Sequence, residues 1–401
     1  MPSERGSPGP FSPDDLSGDG RSRELAWPPG FVATRADRRA LLVLASLQGI
    51  RPRRLLELAV RLGTARACLA AVADGREGSE ADRRWVRRID PDRLEASMGA
   101  CGARVAFPGS PEYSPWLGDL ADPPAALFVR GAPLQPAAAR VAVVGARRCS
   151  SLGREVATEI GAGLAGAGIT VVSGAAMGID AAAHEGALRA GGHTIAVLGC
   201  GIDQSYPPRN QALIDRIAAS GSVVSEYPPG VPAEPFRFPA RNRIIAALAE
   251  AVVVVEGARG SGSLITADHA LDLGRAVYAV PGPVTSPLSE VPLALIRDGA
   301  GMIRGAEDLL VDLGRIDPEA ARASLGGGGL SGEGGAASGE GLSDGERAVL
   351  GVLAGPTLPD QVAASLGWEL GEVIPVLVSL ELRGLVRNVG GRVERRLVVT
   401  S

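Results

Sequence analysis

Apolar runs of strand length alternate with helical patterns through the middle of the chain. Each run is apolar along its whole length, and the segments between the runs place apolar residues three and four positions apart. Strands that are apolar on both faces and alternate with helices are typical of a parallel sheet covered on both sides. We therefore predict a doubly wound α/β sheet, with its ligand site at the carboxyl ends of the strands. The predicted strands lie in "RVAVVG" (140–145), "ITVVSG" (169–174), "TIAVLG" (194–199), "SVVSE" (222–226), "AVVVVEG" (251–257) and "AVYAVPG" (276–282).

The segments on either side of the α/β pattern predict separate modules. The N-terminal segment is rich in Pro, Ser, Gly and charge, as disordered tails are. A helical pattern follows, and its break "QGIRP" (48–52) predicts a helix-hairpin-helix-like pair. Such turns either contact DNA backbones or serve as packing modules, and we slightly favour packing. The predicted boundaries are 1–36 for a disordered tail, 37–100 for the helical domain, 101–313 for the α/β domain, 314–343 for a Gly-rich linker and 344–401 for three helices and a hairpin in the winged-helix pattern.

Composition excludes several classes of chemistry. The net charge is −4, so any anion site must be a local patch. All 41 basic residues are arginine, which excludes a Walker A loop and every lysine Schiff base. The four cysteines form no CxxC pair, which argues against a disulfide framework or a zinc site and predicts a cytoplasmic protein. No apolar run reaches membrane-spanning length.

Glycine and serine follow three of the predicted strands where helices begin. The first strand leads into Gly145, Arg147 and the Ser150/Ser151 cap, and the second into "SGAAMGID" (173–180). The fifth leads into "RGSGS" (259–263). Backbone amides and the helix dipole at such positions favour anions, and an arginine can add a forked contact to phosphate. We therefore predict one continuous phosphate-binding surface along this edge of the sheet.

The stretch "FRFPARNRII" (236–245) combines aromatic rings with arginines. We expect a helix to begin near Asn242, after the proline. Arginines beside a stacking ring are the usual means of holding a single strand, with each stacked base worth roughly 1–3 kcal/mol. The alternative is that one phenylalanine fills the core and one arginine holds a carboxylate such as Glu226 or Glu256. We expect this alternative for at least one residue of each type.

Two other motifs are better explained by structure than by chemistry. The string GxGxxG at 161–166 lies at the end of a predicted helix instead of directly after a strand, which makes dinucleotide binding improbable. Asp180 and His184 share a helix face, but no third partner is evident, so a capping carboxylate and a hydrogen-bonded histidine are favoured over catalysis.

Several long motifs in order resemble the DNA-processing protein A (DprA/Smf) family. They are "VVGAR", "SGAAMGIDAAAHEGAL", "TIAVLGCGIDQSYPPRNQAL", "SEYPPG", "FPARNRIIAAL", "VVVEGARGSGSLITADHALDLGR" and "AVPG", and they span 141–282. The resemblance implies an extended Rossmann-like, mostly parallel domain that binds single-stranded DNA without enzymatic activity and dimerises. It also implies a helical SAM-like domain before it, a winged helix after it, and loading of the RecA recombinase during natural transformation.

Family positions transfer onto particular residues of this chain. The arginine of "VVG-x-R" falls on Arg147, and those of "RNR" fall on Arg241 and Arg243. Relatives often carry a basic residue directly after "YP", whereas here Pro208 comes first and Arg209 follows. The segment "SEVPLALIRDGA" (289–300) lacks the Gly and Asn of the family pattern.

The sequence thus predicts a non-enzymatic single-stranded-DNA-binding protein that loads RecA, acts as a homodimer and needs neither a metal nor a cofactor. An alternative is a nucleotide-binding enzyme like the phosphoribohydrolases, although "RGSGSLITAD" departs from their "PGGxGT" loop and displaces Asp268. A third reading is a protein scaffold that acts through the winged helix. The candidate DNA contacts are Gly145, Arg147, Ser173, Gly174, Arg209, Phe236, Arg237, Phe238, Arg241, Asn242, Arg243, Arg259, Ser261, Gly262 and Ser263.

Overall fold

A computed structural model of the chain describes residues 26–316 and 343–395, except 48, 135–137, 354, 356, 383–384 and 390–391. The chain divides into two units between Ala323 and Ser324. The first contains the N-terminal helices and the α/β domain, and the second contains the winged helix. Most of the predicted tail and linker lies outside the described residues.

A nine-stranded sheet forms the centre of the first unit, in the order β1-β2-β6-β5-β4-β3-β7-β8-β9. The strands from β3 to β9 pair in parallel, and β1 and β2 add an antiparallel edge beside β6. All six predicted strands are present, and the mostly parallel doubly wound fold is confirmed. The strands are β1 (Ala103–Ala106), β2 (Leu127–Gly131), β3 (Arg140–Val144), β4 (Thr170–Ser173), β5 (Thr194–Leu198), β6 (Ser222–Ser225), β7 (Ala251–Val254), β8 (Ala276–Ala279) and β9 (Gly301–Met302).

Helices cover both faces of this sheet, as uniformly apolar strands require. Val141, Val143 and Val253 pack against α6 and α7 on one face, whereas Val144 and Val252 belong to the core on the other. The helices of this domain are α6 (Ser151–Gly166), α7 (Ile179–Arg189), α8 (Gln211–Ser220), α9 (Arg237–Ala247), α10 (Gly262–Asp272), α11 (Glu290–Arg297) and α12 (Ala306–Asp312).

The GxGxxG string lies inside α6, where its glycines allow close helix packing. A Cβ added to Gly161 would collide with the Ala183 carbonyl of α7, and one added to Gly186 would collide with the Thr158 carbonyl of α6. The backbones of α6 and α7 therefore touch directly at these two positions. The string lies at the end of a helix, as the sequence predicted.

The order of the strands creates one switch point. From β3 the chain builds outward through β4, β5 and β6, then returns to the other side of β3 to form β7, β8 and β9. Connections at the carboxyl ends of β3 and β7 consequently diverge to opposite faces, which opens a crevice between them. In open α/β sheets, ligands bind in such a crevice.

In the described residues from 26 onward, five helices precede the sheet: α1 (Arg35–Ala45), α2 (Pro52–Leu62), α3 (Ala65–Ala73), α4 (Glu80–Arg88) and α5 (Pro91–Ala100). Thr34 and Asp37 form a capping box at the start of α1. Trp27 stacks on Phe31 with their ring centroids 5.1 Å apart, and Phe31 is only 2% exposed. Residues 26–36 therefore belong to the helical domain, and the predicted boundary at 37 comes too late.

The turn between α1 and α2 makes an internal contact. The Gly49 amide donates to Oδ1 of Asp82 at 3.0 Å, and a Cβ at Gly49 would collide with that carboxylate. Asp82 is only 3% exposed. A carboxylate of the chain itself thus occupies the place where a DNA phosphate would bind, in agreement with the packing interpretation of this helical pair.

The second unit has the predicted winged-helix arrangement. Its elements are α13 (Asp344–Val352), α14 (Pro359–Leu366), α15 (Leu370–Leu382) and the hairpin β10 (Val386–Val389) and β11 (Arg392–Arg395). Val349, Val362, Val373 and Leu380 form its core. No single described helix is long and apolar enough to cross a membrane; α14 and α15 meet the same test only as a pair bent by 114°.

Candidate nucleic-acid interface

A cleft of about 250 Å³ opens at the switch point. Its walls come from the end of β3, the segment between β4 and α7, the start of α10 and the first three turns of α9. Because these segments are far apart in the chain, only the folded sheet brings them together. The predicted residues that line the cleft are Gly145, Arg147, Phe238, Arg241, Asn242, Ser261, Gly262 and Ser263.

Arg147 provides the exposed positive charge of the cleft. It follows β3, and its guanidinium carbon lies 5.4 Å from the centroid of the Phe238 ring. Arg147 forms no salt bridge with any carboxylate in the described part of the chain. A guanidinium that rests on a ring and lacks a carboxylate partner is well placed to take a bidentate anion such as phosphate.

Arg241 provides a second, buried charge beneath the first. Its Nη1 donates to the carbonyl oxygen of Gly174 at 2.8 Å and also to that of Val197. Burial lowers its pKa to about 10; Asp180 opposes this shift, and the nearby Arg147 adds to it. The guanidinium therefore stays charged at neutral pH. Two positive charges lie close together here, which favours an entering anion.

Phe238 and Tyr206 form an aromatic wall between this cleft and a smaller cavity. Their ring centroids are 5.0 Å apart, Phe238 is half-buried, and Tyr206 is 42% exposed. The smaller cavity, of about 60 Å³, shares Arg147, Phe238 and Arg241 with the cleft. Tyr206 was missed by the sequence reasoning, which considered only the basic residue after the prolines. An aromatic residue in the loop after β5 was the available signal.

Arg209 lies in the loop that follows Tyr206. It is exposed in the short 3₁₀ turn Pro208–Asn210 and does not line either cavity. Nδ2 of Asn210 donates to the Ala175 carbonyl at 2.9 Å, which fixes this loop to the end of β4. The shift of the basic residue by one position leaves Arg209 at the rim of the site.

The start of α10 forms the opposite wall. Ser261 caps the helix by accepting a hydrogen bond from the Ser263 amide, and Asn242 donates to the Gly262 carbonyl at 3.0 Å. The first amides of a helix have no intrahelical partner, so this wall presents donors to the cleft. Arg259 precedes it with its side chain 94% exposed, beside Glu290.

The start of α6 does not form the anion site that the sequence predicted. Glu256, which follows β7, accepts hydrogen bonds from the Ser150 amide at 2.8 Å and from the Ser150 hydroxyl at 2.6 Å. A Cβ at Gly153 would collide with the same carboxylate. The helix end already holds an anion from the chain itself, so the phosphate surface is interrupted here.

Arg243 and Arg237 lie outside the cleft, contrary to the prediction. Nη2 of Arg243 lies 2.7 Å from Glu226, and its Nε lies 3.0 Å from Asp122. Burial alone lowers the pKa of Arg243, but these two carboxylates outweigh it and raise the pKa above its ordinary value. Arg237 pairs with Glu234 at 3.0 Å. The expected alternative, an arginine holding Glu226, is thus confirmed for Arg243.

The expected start of this helix also needs correction. The helix begins at Arg237 instead of near Asn242, because Pro239 lies in the first turn, where the missing N–H loses no hydrogen bond. Phe236 is 64% exposed and does not line the cleft. Ser173 is fully buried, with its hydroxyl donating to the Val143 carbonyl at 2.6 Å. Gly174 lies directly against Arg241, where a Cβ would collide with the guanidinium.

His184 has the hydrogen-bonded structural role favoured by the sequence, whereas Asp180 holds the loop before α7 and does not cap the helix, whose N-cap is Gly178. Oδ2 of Asp180 accepts from the amides of Gly174 at 3.2 Å and Ala176 at 3.4 Å. Nδ1 of His184 lies 2.7 Å from the Thr194 hydroxyl, and burial lowers the histidine pKa to about 3, so the ring is neutral. Within the described ranges, no group of three His, Cys, Asp or Glu residues could hold a metal ion.

Two family models match this chain. One, described as DNA recombination-mediator protein A, matches residues 104–314, and the other, a DprA winged helix domain, matches 335–392. A putative DNA processing protein DprA of Mycobacterium tuberculosis is 40% identical over 320 residues, which cover 77% of this chain and 77% of that protein. DprA of Bacillus subtilis is 40% identical over 222 residues, covering 55% of this chain and 75% of the relative. The X-ray structure of DNA processing protein A from Streptococcus pneumoniae has a TM-score of 0.60 and 34% identity, over 69% of this chain and 98% of that one.

Proposed function

Because this chain belongs to the DNA-processing protein A (DprA/Smf) family, we propose that it binds single-stranded DNA in the cleft at the carboxyl ends of β3 and β7. The observation that carries the proposal is the convergence of Arg147 and Arg241 beside the Phe238 ring. The arginines hold phosphate, and the aromatic wall of Phe238 and Tyr206 stacks on unpaired bases. A duplex does not offer such bases, so the site favours a single strand.

A polymer fits this site better than a mononucleotide does. The cleft and the smaller cavity share four lining residues, and two exposed arginines, Arg209 and Arg259, lie in the loops that lead to Asn210 and Ser261. A nucleotide would use only one phosphate contact and one ring. Two adjoining cavities with two arginines and two rings offer contacts to more than one nucleotide of a strand.

The salt dependence of binding tests this proposal. Each phosphate contact on a single strand contributes about 0.7 to the slope of log affinity against log salt, so three contacts give roughly a 20-fold loss between 50 and 200 mM salt. Fluorescence anisotropy with a labelled single strand and its duplex of equal length measures this. A flat salt response, or tighter binding of the duplex, would rule the proposal out.

We propose that the cleft is not catalytic. Glu256 is held by Ser150, and Asp268 is exposed on α10 and does not line the cleft. Asp180 is the one carboxylate among the lining residues of the described cleft, and two backbone amides bind it. If nucleoside monophosphates released free base in the presence of this protein, and Asp180→Asn abolished the release, the phosphoribohydrolase alternative would replace this proposal.

We propose that the bound strand is passed to the RecA recombinase. The support is the family, whose model is described as a recombination-mediator protein. We expect RecA to assemble faster on DNA covered by a single-strand-binding protein when this chain is present. The lag before RecA-dependent ATP hydrolysis measures the effect, and an unchanged lag at saturating protein would contradict it.

We propose that the α/β domain forms a homodimer at the β8–β9 end of the sheet. Three large apolar side chains are exposed there: Leu271 of α10 (58%), Val284 after β8 (87%) and Met302 on the edge strand β9 (54%). Val284→Asp is expected to convert a dimer to a monomer that keeps its fold, because the residue is nearly fully exposed and contributes little to the core. Light scattering after size exclusion gives the mass; a wild-type monomer at micromolar concentration would end the proposal.

A further inference from the structure

The outward face of α4 carries an exposed indole among arginines. Ala81, Arg84, Trp85, Arg87 and Arg88 line an open depression of about 350 Å³. Trp85 is 46% exposed, and the three arginines are exposed as well. Residues 81, 84, 85 and 88 are three and four positions apart and so lie on one helix face. The depression is a basic surface with a ring in it, on a domain that the strand-end cleft does not include.

The arginines of this face lack acidic partners, whereas their neighbours have them. Arg84, Arg87 and Arg88 form no salt bridge with a carboxylate in the described part of the chain. Arg83, on the other side of the helix, pairs with Glu80 at 2.6 Å. The helix dipole stabilises cations in the last turn of a helix. This effect explains why Arg87 and Arg88 are favourable without acidic partners, but it does not explain Arg84. An unpaired cluster of this kind is suited to an external polyanion.

The indole is held in place while its face stays accessible. Nε1 of Trp85 donates to the Ser46 hydroxyl at 2.9 Å, and Ser46 follows directly after α1. This bond satisfies the polar edge of the ring and fixes its orientation. A fixed ring stacks on a base with little further loss of side-chain entropy. The hydrogen bond therefore prepares the face of the ring for a planar partner.

We propose that this face of α4 is a second binding site for single-stranded nucleic acid, with Arg84, Arg87 and Arg88 on phosphates and Trp85 stacked on a base. The inference rests on the proposed function of the cleft, because it makes α4 a further contact for the same strand. Stacking plus an arginine surface is the combination that single strands require. An acidic protein segment would use the arginines but would offer the indole a planar group only where it carries an aromatic residue, whereas every nucleotide carries one.

Oligonucleotide length separates the two sites. The variant Arg84→Gln/Arg87→Gln/Arg88→Gln is tested in the full chain. For a strand of about 30 nucleotides, we expect the affinity of this variant to fall roughly tenfold and its salt slope to fall by about 2. A strand of about 6 nucleotides fills only the cleft, so we expect the variant and wild type to bind it equally tightly. The matched control is Arg53→Gln/Arg54→Gln/Arg61→Gln on α2, whose arginines pair with Glu57 and Glu77 and should not affect binding.

Each result of this comparison has one meaning. If the α4 variant binds the long strand like wild type while Arg147→Ala weakens both lengths, the second site is wrong and the cleft remains. If wild type binds neither length, the proposed function itself fails. Equal losses in the α4 and control variants would also refute the site, because they indicate a nonspecific charge effect.

Tryptophan fluorescence gives a second, independent readout. Trp85 is exposed, whereas Trp27, Trp116 and Trp368 are partly buried. We expect the long strand to quench the emission of wild type, and Trp85→Phe to remove most of that quenching while the folded state is retained. Unchanged quenching in Trp85→Phe would overturn the stacking role. If Arg84→Gln/Arg87→Gln/Arg88→Gln bound an acidic peptide more weakly than wild type but bound DNA equally well, the face would be assigned to a protein partner instead.

Discussion

Alanine at position 147 is expected to weaken the binding of single-stranded DNA by roughly 10- to 100-fold. The guanidinium of Arg147 is exposed in the cleft and forms no salt bridge with a carboxylate among the described residues. The substitution therefore removes its contact with phosphate and breaks no salt bridge within the protein. A hydrogen bond to a charged group is worth about 1.5–3 kcal/mol, which corresponds to that range of affinity. The salt slope should also fall by about 0.7, because one phosphate contact disappears.

Arg148 provides the matched control for this experiment. It is the next residue in the same loop and is also exposed, but it does not line either cavity. Arg148→Ala removes an equal charge and is expected to change affinity by less than about threefold, as a peripheral charge does. If Arg147→Ala binds as tightly as wild type, or if both variants lose affinity equally, the site does not lie in this cleft.

Arg243→Ala is expected to destabilise the first unit by about 3 kcal/mol. The guanidinium pairs with Glu226, whose side chain is 11% exposed, and with the more exposed Asp122. Breaking a buried ion pair costs about 3–5 kcal/mol, because the remaining charge stays buried without a partner. The lower end of that range applies here because Asp122 is 42% exposed and can be hydrated. Urea unfolding followed at the transition of the first unit measures the loss.

Removing the partner as well tests this explanation. In the double variant Arg243→Leu/Glu226→Gln no charge is left buried at the pair, so most of the lost stability should return. Affinity for DNA, measured where the variant is fully folded, should stay within about threefold of wild type, as expected for a charge outside the site. A stable Arg243→Ala protein with a large loss of DNA affinity would show that Arg243 contacts DNA directly.

The fold could be predicted from local patterns because a strand that is buried on both faces appears in the sequence as an uninterrupted apolar run. Each such run can be recognised without reference to the rest of the chain. Val141 to Val144 and Val252 to Val254 read as apolar runs of strand length, and both form central strands. The parallel order then places the following loops at one edge of the sheet, which is why Gly145 and Gly262 converge as expected. The start of α9 was misplaced, because a proline within the first helical turn reads in sequence like a residue preceding the helix.

The three arginines of "FRFPARNRII" show the limit of this approach. In sequence they are equivalent, yet Arg241 lines the cleft, Arg243 is paired with two carboxylates, and Arg237 is paired with Glu234. Asp122 is more than a hundred positions away from Arg243 in the chain, and nothing near either residue indicates that they meet. The pairing depends on how α9 packs against the connection between β1 and β2 and against the end of β6.

By itself, the sequence determined the doubly wound sheet, its glycine and serine helix starts and the edge where they meet, because these follow from burial and backbone conformation over a few residues. Only the tertiary structure decided which anion fills each position. The start of α6 holds Glu256 from 106 positions away, and the helical turn at Gly49 holds Asp82 from 33 positions away. Glu256 and Asp82 reach these amides only through long-range packing, so a local motif specifies an anion site without specifying whether the chain or a ligand occupies it.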